Sequence, residues 1–231
     1  MAPKTRAENR AEQTRAILDR ARAQLAEVGP AALSVRQIAR DVGMVSSAVY
    51  RYFPSRDELL TALIVEAYDE LGAAVEAADA HVKRRTDLDK RFLAWANAIR
   101  TWALANPHEY ALLYGSPVPG YVAPDDTVPA ASRITGALLS LVAESELAQH
   151  VLGAPTNRLS TKERTALGPV RDAIPSPVED ERMLRWLMAW ACVFGHLSLE
   201  LFGHMHRGVL DYDAHFAQVT GQLAADLGLT G

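Results

Sequence analysis

The chain has 231 residues, 49% of them apolar, a formal charge of −4 and a single cysteine. That length holds one or two domains with a core, and Cys192 alone excludes both an intrachain disulfide framework and a Cys-x-x-Cys metal site. The net acidity hides an asymmetry, because residues 1–60 carry 10 Lys and Arg against 7 Asp and Glu while the rest carry 14 against 21; a basic amino-terminal module ahead of an acidic body is expected where only one end meets phosphate. The amino terminus is charged and polar without an apolar h-region, which points away from secretion and to a cytoplasmic protein. Cys192 lies in an apolar run and is expected to be a buried, inert thiol.

Between residues 34 and 60 the pattern predicts two short helices joined by a glycine turn, with a third helix directly after. Ser34 and Gln37 form a capping box that starts a helix at Val35. Val35, Ile38, Ala39 and Val42 then fall at i, i+3, i+4 and i+7 on one apolar stripe. Gly43 ends that helix with the positive φ the turn requires. A second helix of under three turns sets Val49 and Phe53 inward until Pro54 stops it, and Ser55 with Glu58 makes another capping box. Ser46, Ser47, Ala48, Tyr50, Arg51 and Tyr52 lie outside the inward stripe and face solvent or a partner. This is a helix-turn-helix pattern, which sets one short helix into the major groove of double-stranded DNA. Small polar residues at the helix start allow close approach to base edges, and tyrosine hydroxyls suit phosphate oxygens. A helical hairpin with a polar outer face and no partner is the alternative.

A fourth helix is predicted over residues 56–80, with Leu60, Ile64, Ala67 and Leu71 on one face; at about 1.5 Å per residue it is long enough to be a strut. The basic run Lys83, Arg84 and Arg85 fits a solvated linker better than a DNA contact. A fifth helix over residues 87–105 carries Leu88, Phe92, Trp95, Ile99 and Trp102 on one stripe. Asn106 caps a sixth, with Pro107 at its first position, Glu109 at its third, and Tyr110, Leu113 and Tyr114 along it up to Gly115. Aromatics on two successive helices wall either a ligand cavity or an ordinary core. Residues 116–124, SPVPGYVAP, are rich in turn formers and read as a mobile rim or a plain connector. Ser176, Pro177 and Glu179 start a helix running to about Phe202, and the last helix covers residues 213–227. The stretch 186–202 is the most membrane-like, but His196, Ser198 and Glu200 make it a buried helix and no membrane span. With neither strand alternation nor an internal repeat, the fold class is all-α.

Residues 10–72 resemble the DNA-binding domain of the TetR (tetracycline-repressor) family of bacterial regulators. The resemblance is carried by Ile17, Ala21 and Leu25 on a first helix, the Ile38-Ala39 pair, Gly43, Val49-Tyr50, Phe53, Ser55-Arg56 and Leu59-Leu60. Val45 stands where the family often has serine, and Tyr52 where it often has histidine. Residues 190–203, WACVFGHLSLELFG, resemble the carboxy-terminal domain of a subgroup with a tryptophan followed by histidine-glycine; Trp190 and Gly195 are kept and Phe194 replaces the histidine. The resemblance implies a three-helix helix-turn-helix head over residues 1–55, joined by the long fourth helix to a helical-bundle body over residues 56–231. By position, Ser34 and Arg36 approach DNA from the second helix, with Arg36 on a guanine. Ser46, Ser47 and Ala48 meet bases or their methyls, Tyr50, Tyr52 and Arg56 hold phosphates, and Arg51 does either. Pairing of Arg36 with Asp41 or Glu58 is the alternative. The family's body encloses an effector pocket whose occupation moves the fourth helix. For a small, largely apolar or aromatic molecule the wall candidates are Trp95, Trp102, Tyr110, Tyr114 and Trp186, with Tyr121 pointing in from the 116–124 segment. The family pairs its last two helices with those of a second subunit. Gly195 and Gly203 allow close approach, and Phe194, Leu197, Leu201, Phe216, Val219 and Leu223 supply apolar area, divided between a homodimer interface and the chain's own core.

Other functions are weighed on the remaining residues. His204-x-His206, with His196, His215 and Asp211 near in sequence, could make a metal site only where the chain is irregular, since helical His-x-His points its rings apart; no metal is expected. No glycine-rich phosphate loop, nucleophile elbow or His-Glu-x-x-His occurs, so neither a cofactor nor catalysis is expected, and His108 and Glu109 are the only pocket groups suited to it. The sequence therefore predicts a dimeric, ligand-responsive regulator that binds a palindromic operator, a repressor in the first instance, with an activator or a ligand-binding protein of little DNA affinity as the alternative.

Overall fold

The computed structural model describes residues 5–148, 159–174 and 176–229; among them are eleven α-helices, two short 3-10 turns and no strand. They fall into two compact units, one of residues 1–70 with 106–131 and one of 71–105 with 132–231, so α4 (Arg56–His81) starts in the first and ends in the second.

The first unit is built on α1 (Arg6–Val28), α2 (Val35–Asp41), α3 (Ser46–Val49), the front of α4 and α6 (Pro107–Tyr114). A capping box starts α1: the Thr5 hydroxyl accepts from the Glu8 N–H, and the Glu8 carboxylate accepts from the Thr5 N–H at 2.7 Å. The resulting stripe of Ile17, Leu18, Ala21 and Leu25 buries against Val35, Ile38, Ala39, Val49 and Phe53. The box expected at α2 is shared between helices. Ser34 accepts from the Gln37 N–H, but the Ser34 N–H gives to Gln24 of α1 at 2.6 Å, while the Gln37 carboxamide turns to Asp41. Gln24 is itself buried, so docking α1 on α2 satisfies a carboxamide that would otherwise lack a partner. Gly43, at φ 70°, closes α2 with Met44 N–H on the Ala39 carbonyl. The second helix is shorter than the pattern predicts: α3 is one α turn, followed by turn geometry over residues 50–53 up to Pro54, because the residue before a proline is pushed out of the helical region.

The head's core extends past residue 55. Leu59, Leu60, Leu63 and Ile64 of α4 complete it, and Leu112, Leu113, Val118 and Tyr121 pack on its edge. Arg22 of α1 binds this unit together, with Glu70 at 2.7 Å and with Glu66 and Glu109 at 3.5 Å each.

The second unit gathers α5 (Leu88–Ala105), α7 (Val128–Leu147), α8 (Thr161–Ala166), α9 (Gly168–Ala173), α10 (Asp180–Leu201) and α11 (Tyr212–Asp226). The α5 stripe of Leu88, Phe92, Trp95, Ile99 and Trp102 is buried throughout. Phe92 meets Trp186 edge-on at 5.7 Å, and Trp95 meets Phe194 at 6.3 Å. Arg100 ties three helices, reaching Glu200 and Asp213 at 2.7 Å each. Arg91, 4% exposed, lies between Asp79 at 2.7 Å and Glu144. Helix α10 begins at Asp180, later than Ser176 suggests, and α11 is capped by Asp211, whose carboxylate accepts from the Ala214 N–H. No helix among the described residues is long and apolar enough to cross a membrane.

Candidate nucleic-acid interface and body cavity

The residues that α2, α3 and the following turn present outward divide by what else they touch. Arg36 is exposed and makes no ion pair among the described residues; the rival partner Asp41 is taken by Arg20 of α1 at 2.6 Å. That hydrogen bond holds the Asp41 carboxyl below the usual carboxylate range. Arg51 is likewise exposed; its carbonyl accepts from Arg10 and its backbone N–H donates to the Ala48 carbonyl. Ser47 and Tyr50 are exposed, Ser34, Ser46 and Tyr52 half-buried, and the Arg10 guanidinium sits 5.1 Å over the Tyr52 ring.

Two expected contacts are placed differently. Ala48 turns inward and is buried beside Val49, because a single turn of helix gives its last two residues to the core. Arg56 folds back, donating to the carbonyls of Pro30 at 2.7 Å, Ala31 at 3.1 Å and Leu33 at 3.2 Å. It closes the turn between α1 and α2, which leaves those carbonyls satisfied. The basic run after α4 is largely committed as well, since Arg85 clamps Asp79 and Arg84 pairs with Asp87 at 3.6 Å, while Lys83 is exposed.

The six aromatic wall candidates divide between the two units. Trp95 and Trp102 are core residues of the body, and the Trp95 N–H gives to the Ile134 carbonyl at 3.2 Å. Tyr110, Tyr114 and Tyr121 belong to the head unit: Tyr114 packs on Tyr110 at 5.2 Å and on Tyr68 at 6.2 Å, and burial first, then these two neighbours, pushes its hydroxyl pKa up. The Tyr121 hydroxyl meets that of Thr61 at 2.9 Å. Trp186 lines a cavity of the body. That cavity, about 290 Å³, lies among α7, α9 and α10. Its second indole, Trp190, was legible in the sequence as half of the tryptophan-glycine pair, but nothing in its spacing marked it as a wall.

Helix α10 carries two apolar stripes. Phe194 and Leu197, with Phe216 of α11, are buried in the chain's own core, while Leu201, Val219 and Leu223 are half-buried. The outer stripe is Met188, Cys192, Gly195, Leu199 and Phe202, all exposed in the single chain. Cys192 is thus on the surface of the chain, not buried as expected, because it belongs to this second stripe. His196 faces inward 5.2 Å from the His215 ring and 3.9 Å from Glu200. Burial and then the charge of His215 lower its pKa. His204 and His206 are exposed, and among the described residues no three potential ligands come together as a metal site.

This architecture has relatives. Residues 17–63 match the model of bacterial regulatory proteins of the tetR family, and residues 92–223 match that of the tetracyclin repressor-like carboxy-terminal domain. The HTH-type transcriptional regulator Rv1816 of Mycobacterium tuberculosis is 42% identical over 195 residues, covering 81% of this chain and 80% of that one. The HTH-type transcriptional repressor LfrR of Mycolicibacterium smegmatis is 46% identical over 65 residues, 28% of this chain and 33% of that one. The solved structure of SCO4313 superposes with a TM-score of 0.77 at 31% identity, covering 96% of this chain and 100% of that one. With helix-turn-helix, body and relatives in agreement, the chain belongs to the TetR family of helix-turn-helix transcriptional regulators.

Proposed function

We propose that this regulator is a homodimeric repressor that works in the cytoplasm, holds a palindromic operator and is released from it by a small, largely apolar molecule bound in the body. One observation supports the DNA reading above others: Arg15, Arg20, Arg22 and Arg56 are spent on carboxylates or carbonyls of the same unit, whereas Arg36 and Arg51, like Arg6, Arg10 and Arg40, are exposed without an ion pair among the described residues, and Arg36 and Arg51 are the two on α2 and the turn after α3. Lone cations are what a phosphate surface or a guanine edge recruits. Arg36 is assigned the base contact, Ser34, Ser46 and Ser47 the close approach, and Tyr50, Arg51 and Tyr52 the phosphates. Arg56 acts on DNA by fixing the turn ahead of α2, and Ala48 by seating α3.

A single one-turn helix reads too few bases to specify a site, so two heads are needed. The outer stripe of α10 supplies the apolar area for pairing, with Gly195 allowing close helix approach. The half-buried Leu201, Val219 and Leu223 are assigned a further share of it. Helix α4, whose residues belong to both units, is assigned the coupling of body to head.

Selection from random duplexes tests this. The expected product is an inverted repeat with half-site centres roughly 34–36 Å apart or a multiple of it, bound with a steep loss of affinity as salt rises. Failure to enrich any sequence, or enrichment of a single asymmetric half-site, overturns the reading.

A further inference from the structure

We propose that Val45 is a specificity-determining residue of the head, its isopropyl group packing on the 5-methyl group of one thymine in each operator half-site. This role rests on the DNA reading above, which leaves the residue unused. Val45 stands directly before α3 in extended backbone, φ −76° and ψ 146°, and its carbonyl accepts from the Ala48 N–H at 2.9 Å. It therefore holds the N-cap position, where Ser, Thr, Asp and Asn are favoured because a side-chain oxygen takes up a free N–H of the first turn. Thr5, Ser34 and Ser55 do so at the starts of α1, α2 and α4. Val45 has no oxygen to offer, and α3 has no side-chain cap.

Nor does the side chain serve the core. Ala48 and Val49 are buried and Met44 packs on the head's core, but Val45 is 70% exposed, the most exposed large apolar side chain of residues 5–70. A branched apolar group in water, at a position that favours a hydroxyl, costs the free protein on both counts. Departures from local preference of this kind gather at functional sites. What Val45 can recognise follows from its chemistry. In a helix-turn-helix the start of the second helix meets base edges in the major groove, and Val45 directly precedes Ser46 and Ser47. An isopropyl group neither donates nor accepts a hydrogen bond, so the ring nitrogens, carbonyls and amino groups of the bases give it nothing. The apolar feature among those edges is the thymine 5-methyl. Contact between the two removes both from water, and it is made by the side chain alone, without the N–H groups of the turn.

The operator recovered by selection, resynthesised with deoxyuridine in place of each thymine in turn, tests this on the full-length protein. The replacement removes the methyl group and leaves every hydrogen-bonding group of the base in place. At one thymine position the natural protein is expected to lose about fourfold in affinity per half-site replaced, the effect of one buried methyl group. Val45→Ala is expected to bind the thymine and uracil operators equally at that position, while keeping whatever response the natural protein shows at the other thymines. Val45→Ser supplies the missing cap oxygen, so it is expected to melt no lower than the natural protein and to be equally indifferent to the methyl. A merely structural role for Val45 would leave the methyl response in place. Absence of any thymine whose methyl matters, or a methyl effect of undiminished size in Val45→Ala or Val45→Ser, overturns the proposal and leaves the DNA reading standing. Failure of the natural protein to enrich any duplex removes both.

Discussion

Arg36 and Arg56 lie twenty positions apart on one head and are used in opposite ways. Arg36 is exposed and its side chain makes no hydrogen bond or ion pair among the described residues, so Arg36→Ala is expected to change stability by less than about 0.5 kcal/mol while removing about 1–3 kcal/mol of discrimination at one base pair of each half-site. Competition binding with singly substituted duplexes reads this. Arg56→Ala strips three carbonyls of a charged donor; since the side chain is 31% exposed, a loss of about 1–2 kcal/mol is expected in denaturant melts, with base preference unchanged in the folded protein. Equal loss of discrimination from both variants would defeat the division. The sequence could not show it. Capping and pairing rules look three or four residues along a helix, whereas Arg56 answers carbonyls 23 to 26 residues away, and Gln24 supplies half of a cap ten residues on.

At the scale of helices, α4 is held inside the body by two ionic contacts with α7. Glu76 pairs with Arg133 at 2.7 Å, and Asp79 reaches Glu144 through the buried Arg91. Gly72 permits the first, since a Cβ there would stand 2.9 Å from the Arg133 Cβ. Gly72→Val is therefore expected to displace Arg133 and destabilise the protein by about 1–3 kcal/mol. Arg91→Ala leaves Asp79 with Arg85 alone and is expected to cost about 2–4 kcal/mol. Thermal unfolding of each variant measures these, and a change below 0.5 kcal/mol for either, within the scatter of about 0.5 kcal/mol for surface substitutions, would show that the contact contributes nothing. Periodicity found α4 and α5 nearly to the residue, because each buries a single stripe at 3.6-residue spacing. It was weaker on α10, which carries an inner and an outer apolar stripe on opposite faces. Hydrophobicity is alike on both, so the resemblance left Phe194 and Leu197 between a subunit interface and the chain's own core, and packing buries both within the chain. The cavity was less legible still, because α7 and the six-residue α9, which supply its walls beside α10, carry no aromatic residue.

The whole molecule should respond to acid and to the loss of its outer stripe in separable ways. Hydrogen bonds from arginines lower the carboxyls of Glu76, Asp41 and Asp180, and at Asp79 the hydrogen bonds from Arg91 and Arg85 outweigh the raising effect of burial. Folded pKa values below the unfolded ones stabilise the chain above the ordinary carboxylate range and lose that contribution as pH falls through the folded values, so the melting temperature is expected to drop from pH 5 toward pH 3 (carboxylates ordinarily titrate near about 4). His196 adds a milder loss beginning nearer neutrality, because burial and then His215 depress its pKa and the unfolded chain takes up its proton first. The outer stripe is a different matter, since no ion pair is at stake. Met188→Glu with Leu199→Glu places charge on positions that are 62% and 48% exposed, so each chain should keep its helicity and its melting behaviour at neutral pH once dilute enough to be single. What should fail is pairing: sedimentation at micromolar concentration is expected to show single chains, and operator affinity to fall about 10²–10⁴-fold, because the second half-site is then met from solution and not by a tethered head. Leu197→Glu, on the buried, opposite face of the same helix, should unfold the body. Dimers that survive the Met188 and Leu199 changes would move the interface elsewhere on the body, and operator binding that survives their dissociation would show that one head suffices.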